Sequence, residues 1–329
     1  EELLDTDNLI RSRMDRIENA INNLIINTNE AIKSRIEEVR YCIDIPDTES
    51  KGYCYCLKVD ANGKLRLQDL IEYIDSRIVD YAIPKKEIDE ARSDLNKTGS
   101  TRKIIQLRKK AENLFTDLNK TGEGGEILLY ILTQDILKLP QLISKMSLKT
   151  STKMHYQGAD GVHFQYNSIT GNLELYWAEA KMYQDLNAAV ANCFDSLKGF
   201  LLDPKGCTST QERDIDLITS NIHQNINDEA IENILVGYFD KDKEQSNHLV
   251  YKGVCFIGFD FDKYPSDTDI TKTTEYVRNA ILTEYEKWHN TIGQKIKDHE
   301  NLDKKEIHVF LMPFPSVDDF RKYYLQTIK

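Results

Sequence analysis

The chain has 329 residues, 54 Asp+Glu against 43 Lys+Arg, a formal net charge of −11 and 40% hydrophobic residues. This balance supports a folded core and excludes a protein that coats nucleic acid over its whole surface. No apolar run approaches the ~18 residues of a membrane-spanning helix, and the acidic opening Glu1-Glu2-Leu3-Leu4-Asp5 is unlike a secretory leader, so the chain reads as cytoplasmic.

The length predicts two domains, divided near residue 100. Residues 7–40 predict a helix, because Ile10, Met14, Ile17, Ile21, Leu24 and Ile25 recur at three- and four-residue spacing. Tyr53 to Val59 predicts a strand, Asp60 to Gly63 a turn and Leu67 to Val79 a helix, with Pro84 opening a short one after it. The first part, 1–100, is therefore helix-rich with a small β-hairpin. Asp94-Leu-Asn-Lys-Thr-Gly99 recurs as Asp117-Leu-Asn-Lys-Thr-Gly122, which predicts a glycine-capped helix end used twice.

Charge is segregated along the chain. Residues 97–153 carry a net +6 and the remainder −17. Lys109-Lys110 alone reads as a solvated helix face; the asymmetry matters only if chemistry lies beside it. Glu126 to Lys138 predicts an apolar helix and Lys145 to Thr150 a short strand. Asp160 to Tyr166 and Leu173 to Lys181 alternate as two strands about the turn Ser168 to Asn172. Helices at Leu186 to Leu202 and Thr273 to His289 and strands at Val250 to Phe261 and Ile307 to Met312 complete an α/β order. The six cysteines (42, 54, 56, 193, 207, 255) contain no CxxC pair and read as reduced thiols, not as zinc ligands.

The hairpin carries the candidate chemistry. If the turn centres between Ile169 and Thr170, paired residue numbers sum to 339. Tyr166 then faces Leu173, Phe164 faces Leu175, Val162 faces Trp177 and Asp160 faces Glu179. Period-two alternation puts these on one face together with Lys181. Opposed residues have Cβ atoms ~4.5–5.5 Å apart. Two carboxylates that close repel, so one takes a proton or a cation binds between them. Magnesium suits one or two carboxylates with water and a phosphate, and Lys181 adds positive charge where phosphoryl oxygens would sit. A salt-bridged strand end is the plain alternative. The string itself is common: Glu49-Ser-Lys51, Asp203-Pro-Lys205 and Asp303-Lys-Lys305 also fit it, but none follows an alternating apolar strand. His163 points to the other face by parity and reads as structural.

Asp160 followed across the turn by Glu179-Ala-Lys181 resembles the PD-(D/E)xK nuclease core, with Ala159 in place of that pattern's proline. The resemblance implies a restriction-endonuclease-like mixed sheet flanked by helices over 101–329. It also implies a helix glutamate as a third metal ligand, Glu126 or, second, Glu123; a helix-start acid favoured by the macrodipole is the alternative. Gly122-Glu-Gly-Gly-Glu-Ile-Leu-Leu-Tyr130, Lys145-Met-Ser-Leu-Lys149, Gly158-Ala-Asp-Gly-Val-His163 and Trp177-Ala-Glu-Ala-Lys-Met-Tyr183 resemble the HamA family, the nuclease subunits of Hachiman anti-phage systems. That resemblance implies a metal-dependent DNA nuclease using Mg2+ or Mn2+ and controlled by a HamB-like helicase. The alternative is a catalytically silent nuclease-like platform for that helicase. Glycine-rich nucleotide loops are absent, which disfavours a nucleotide phosphohydrolase.

Overall fold

A computed structural model describes residues 14–28, 30–115, 122–148, 158–202, 210–266 and 271–328. The first helix, α1, covers 14–22 and buries Ile17 and Ile21. It does not continue to residue 40. Glu30 adopts a left-handed φ of 56°, and Ile36–Asp44 forms strand β1. The β-branched Ile36 and Val39 that extend the apparent helical pattern are buried instead on a sheet edge. Residues 7–13 lie outside the described residues.

Strand β2 (Lys51–Leu57) follows, then α2 (Leu67–Ser76), α3 (Ile78–Ala82), α4 (Lys85–Thr98), α5 (Arg102–Glu112) and α6 (Glu123–Asp135). Gly99, at φ 70°, ends α4 as a left-handed cap. Its counterpart in the repeat behaves differently: Gly122 precedes the first turn of α6 at φ −82° and is not a left-handed cap, and 117–121 lie outside the described residues. Of the predicted strand Lys145 to Thr150, Lys145–Leu148 is a 3-10 turn with Lys145 and Met146 buried, and 149–150 lie outside the described residues.

The remaining elements are β3 (Gly161–Asn167), β4 (Asn172–Met182), α7 (Leu186–Leu201), α8 (Thr210–Asn221), α9 (Glu229–Gly237), β5 (Leu249–Asp260), α10 (Thr274–Lys297), β6 (Ile307–Phe314) and α11 (Val317–Ile328). Among the described residues, six strands make one mixed sheet in the order β1-β2-β6-β5-β4-β3. The two hairpins β1–β2 and β3–β4 are antiparallel at the edges, and β2, β6, β5 and β4 run parallel between them. The hairpin of the first 100 residues is thus part of the same sheet as the rest.

Helices cover both faces, so the central strands are near-continuous apolar runs. On one face Trp177 stacks on Phe200 of α7 at 5.1 Å, and Gly253 leaves room for Leu197. On the other face α6 lies on β4, with Gly125 against Met182. The parallel strands all end at the same edge as Lys181 and Met182, where the site lies.

Candidate functional site

The β3–β4 register agrees with the pairing sum: Tyr166 faces Leu173, Phe164 faces Leu175, Val162 faces Trp177 and Gly161 faces Ala178. One residue further, Asp160 continues the ladder by donating its N–H to the Ala178 carbonyl at 2.9 Å. Its side chain replaces its own carbonyl as the next acceptor, taking the Ala180 N–H on Oδ2 at 2.8 Å. Glu179 is 4% exposed and pairs with Lys181 at 2.5 Å. Asp160, Glu179 and Lys181 therefore meet at the end of the hairpin.

Burial raises the pKa of Asp160; Lys181, the Ala180 N–H and Lys145 oppose it. Burial and the Asp160 charge push Glu179 up to about 7, against the pull of Lys181. Burial disfavours the Lys181 ammonium, but the Glu179 and Asp160 carboxylates outweigh it and hold the proton more tightly than in water. An ion pair at a strand end is also what a purely structural bridge produces. The added feature here is a second buried carboxylate whose like charge is compensated only in part.

Glu126 approaches from α6. The Tyr81 hydroxyl, from α3, lies 3.4 Å from Glu126 Oε2 and 3.4 Å from the Asp160 carbonyl, so it ties the helix to the hairpin entrance. A cavity of about 320 Å³ opens between these elements, with Glu126, Asp160 and Lys181 in its wall. Glu179, the ion-pair partner of Lys181, does not line it. Among the described residues, no three His, Cys, Asp or Glu side chains stand close enough together to hold a metal ion. The fit for a divalent cation rests on Asp160 and Glu179: both are hard oxygen donors, and their mutual repulsion is relieved by positive charge.

The HamA family profile matches residues 30–328. The chain belongs to the HamA family. Membership makes it a component of Hachiman defence. A comparison with curated proteins gave no match.

Several side chains of this HamA-family site carry no signal in the sequence. Arg321 and Tyr324, from α11, line the cavity although they lie about 140 residues beyond the hairpin. Arg321 donates to the Met182 carbonyl and to Asp318, fixing it at the end of β4. The apolar spacing of Val317, Phe320 and Tyr324 marks the helix but not its destination. His163 behaves as expected of a structural residue: it is buried, its Nδ1 contacts the Leu139 carbonyl at 3.0 Å, and burial pushes its pKa down to about 4.

Half of the described basic residues of the 97–153 segment stand in ion pairs, Lys145 among them. Arg108 binds Asp75 and Glu112, each at 2.7 Å, Lys110 binds Glu87 at 2.6 Å, and Lys103 binds Asp94 at 3.1 Å. Lys109 is exposed. Just past α5, Phe115 stacks on Tyr81 at 6.4 Å, so this segment reaches the site through the residue that touches Glu126. Among the described residues no helix is long and apolar enough to cross a membrane.

Proposed function

We propose that this protein is a metal-dependent DNA nuclease, the effector subunit of a Hachiman complex whose activity a HamB-like helicase restrains and directs. The observation that carries this reading is the meeting of Asp160, Glu179 and Lys181 at a hairpin end beside a cavity. The nuclease-like topology inferred for 101–329 belongs to the same proposal.

Asp160 and Glu179, with Glu126 as the third carboxylate, would hold Mg2+ or Mn2+, which would supply charge neutralisation at the phosphoryl oxygens. The protein's own part is positional and electrostatic. Lys181 stays protonated because two carboxylates surround it, and it presents a fixed positive charge to the cavity. That charge is worth most in a transition state, where negative charge grows on the phosphorus oxygens. Arg321, also in the wall, is a second cation suited to an adjacent phosphate.

A divalent-metal titration of cleavage on supercoiled, linear and single-stranded DNA, with and without the helicase, tests the reading. Cleavage should need the metal and should fall by about 10²–10³-fold in Lys181→Ala. The same variant should retain a cooperative melt, because Glu179 deprived of its partner takes a proton instead of remaining a buried charge. Undiminished cleavage by that variant rules the role of Lys181 out. Absence of cleavage under every metal, helicase present, would leave the silent platform as the reading; the lack of a three-carboxylate cluster among the described residues is the observation that favours it.

A further inference from the structure

Lys145 and Asp214 form a buried ion pair, their side chains 7% and 0% exposed. Neither is part of the hairpin: Lys145 begins the 3-10 turn Lys145–Leu148, and Asp214 lies on α8. The two side chains grip Ala159 at both of its backbone groups. Lys145 Nζ donates to the Ala159 carbonyl at 2.9 Å, and the Ala159 N–H donates to Asp214 Oδ2 at 3.1 Å. The next residue is Asp160, whose N–H and carboxylate are bound by β4. The chain is thus fixed at two consecutive positions, from α8 on one side and from the sheet on the other.

Burying a lysine and an aspartate is a poor way to fill a core, since an apolar pair of similar volume is usually at least as stable. The pair makes sense through what it does to its neighbours. A proline at 159, as in the pattern this hairpin resembles, would restrict the backbone by its ring but would have no N–H. Here the N–H of Ala159 is the group that Asp214 accepts, so two hydrogen bonds supply the restriction. Burial lowers the Lys145 pKa against the pull of Asp214 and then of Asp160 and Glu179, so its side chain lies in the field of the same carboxylate pair as Lys181.

We propose that Lys145 and Asp214 are positioning residues that hold Asp160 where it can share a cation with Glu179. This rests on the nuclease reading above for its purpose, but not for its geometry.

The test compares the full chain with Lys145→Met/Asp214→Leu, which removes both charges together, and with Asp214→Asn, which keeps an acceptor for the Ala159 N–H but not the charge. Each protein is measured for thermal midpoint, for Mn2+ affinity by calorimetry without DNA, and for cleavage. The apolar double variant should melt at or above the parent, yet bind Mn2+ about 10–100-fold more weakly. Its kcat should fall about 10²-fold at unchanged KM for DNA, as for a misplaced reacting group. Asp214→Asn should melt lower, because it leaves Lys145 poorly compensated, yet keep Mn2+ affinity within a few-fold of the parent. Stability and function would then run in opposite orders, which a merely structural pair does not produce.

A double variant that binds Mn2+ and cleaves like the parent overturns the inference and leaves the nuclease reading standing. Failure of the double variant to fold also overturns it, since the pair would then be a requirement of the fold. A parent that binds Mn2+ in the expected order of variants but never cleaves retains the inference and ends the nuclease reading. A parent that neither binds Mn2+ nor cleaves ends both.

Discussion

Glu179 and His163 are buried on opposite faces of one hairpin, and burial moves their protons in opposite senses. Burial and Asp160 raise Glu179 to about 7 from 4.5. Its contribution to stability is complete below the unfolded value of 4.5 and is lost as pH rises through 7. Burial lowers His163 to about 4 from 6.5, with the Leu139 carbonyl opposing. Its contribution is complete above 6.5 and is lost as pH falls through 4. Each amounts to at most about 3 kcal/mol, and in the parent the two largely mask one another. Single substitutions should separate them. Relative to the parent, Glu179→Gln should gain stability between pH 5 and pH 8, and His163→Gln should gain it in the opposite direction, from pH 7 down to pH 4.5. Urea unfolding of the metal-free proteins at three pH values checks both slopes; parallel curves for parent and variants would refute the assignment. The Asp160, Glu179 and Lys181 arrangement was legible in the sequence because strand alternation and a turn centre fix which side chains share a face. Lys145, Asp214 and Arg321 were not, since contacts across 69 or 139 residues leave no local pattern.

At the scale of elements, the site depends on how closely α6 approaches β4 and α11. Gly124 and Gly125 are neighbours in the first turn of α6 but face different surroundings. A Cβ on Gly125 would stand 3.1 Å from Met182 Sδ, a flexible side chain that can yield. A Cβ on Gly124 would come within 2.9 Å of Phe320 Cε1. That ring is held edge-on against Phe314 at 5.2 Å in a fully buried cluster, so α11 has to move. Gly124→Ala should therefore cost about 1–3 kcal/mol by overpacking, whereas Gly125→Ala should cost less than about 1 kcal/mol, helped by the helix preference of alanine. Denaturant midpoints check the difference, and equal costs would contradict the packing argument. Because α11 carries Arg321, Gly124→Ala should also impair cleavage beyond its effect on stability. Most elements followed from periodicity, and β1 shows why periodicity can mislead. Ile36 and Val39, three apart, fit the helical stripe that starts at Ile10, and only pairing with β2 decides for the strand.

At the scale of the whole molecule, net charge and sheet continuity pull the two halves of the sequence together. β2 pairs with β6, and Tyr81 reaches from α3 to Glu126 and the Asp160 backbone, so the first 100 residues help to build the cavity's surroundings. The basic segment is drawn in the same way. Arg108, Lys110, Lys103 and Lys145 pair with Asp75, Glu87, Asp94 and Asp214, so much of the net +6 is already compensated by acids from elsewhere in the chain. A molecule with net charge −11 then has little field left to attract a polyanion, and the isolated chain should bind DNA weakly through few phosphate contacts. Lys109 and Lys110 divide the expectation sharply. Lys109→Glu should weaken DNA binding and reduce the slope of log K against log salt by about one if that side chain meets a phosphate. Lys110→Glu instead sets a carboxylate opposite Glu87, so it should lower the melting temperature through that contact and change the salt slope less. Fluorescence anisotropy with a labelled oligonucleotide, over a range of salt and beside a melting curve for each variant, separates the two effects. An unchanged slope for Lys109→Glu would remove α5 from the DNA path and leave the carboxylate site unaffected.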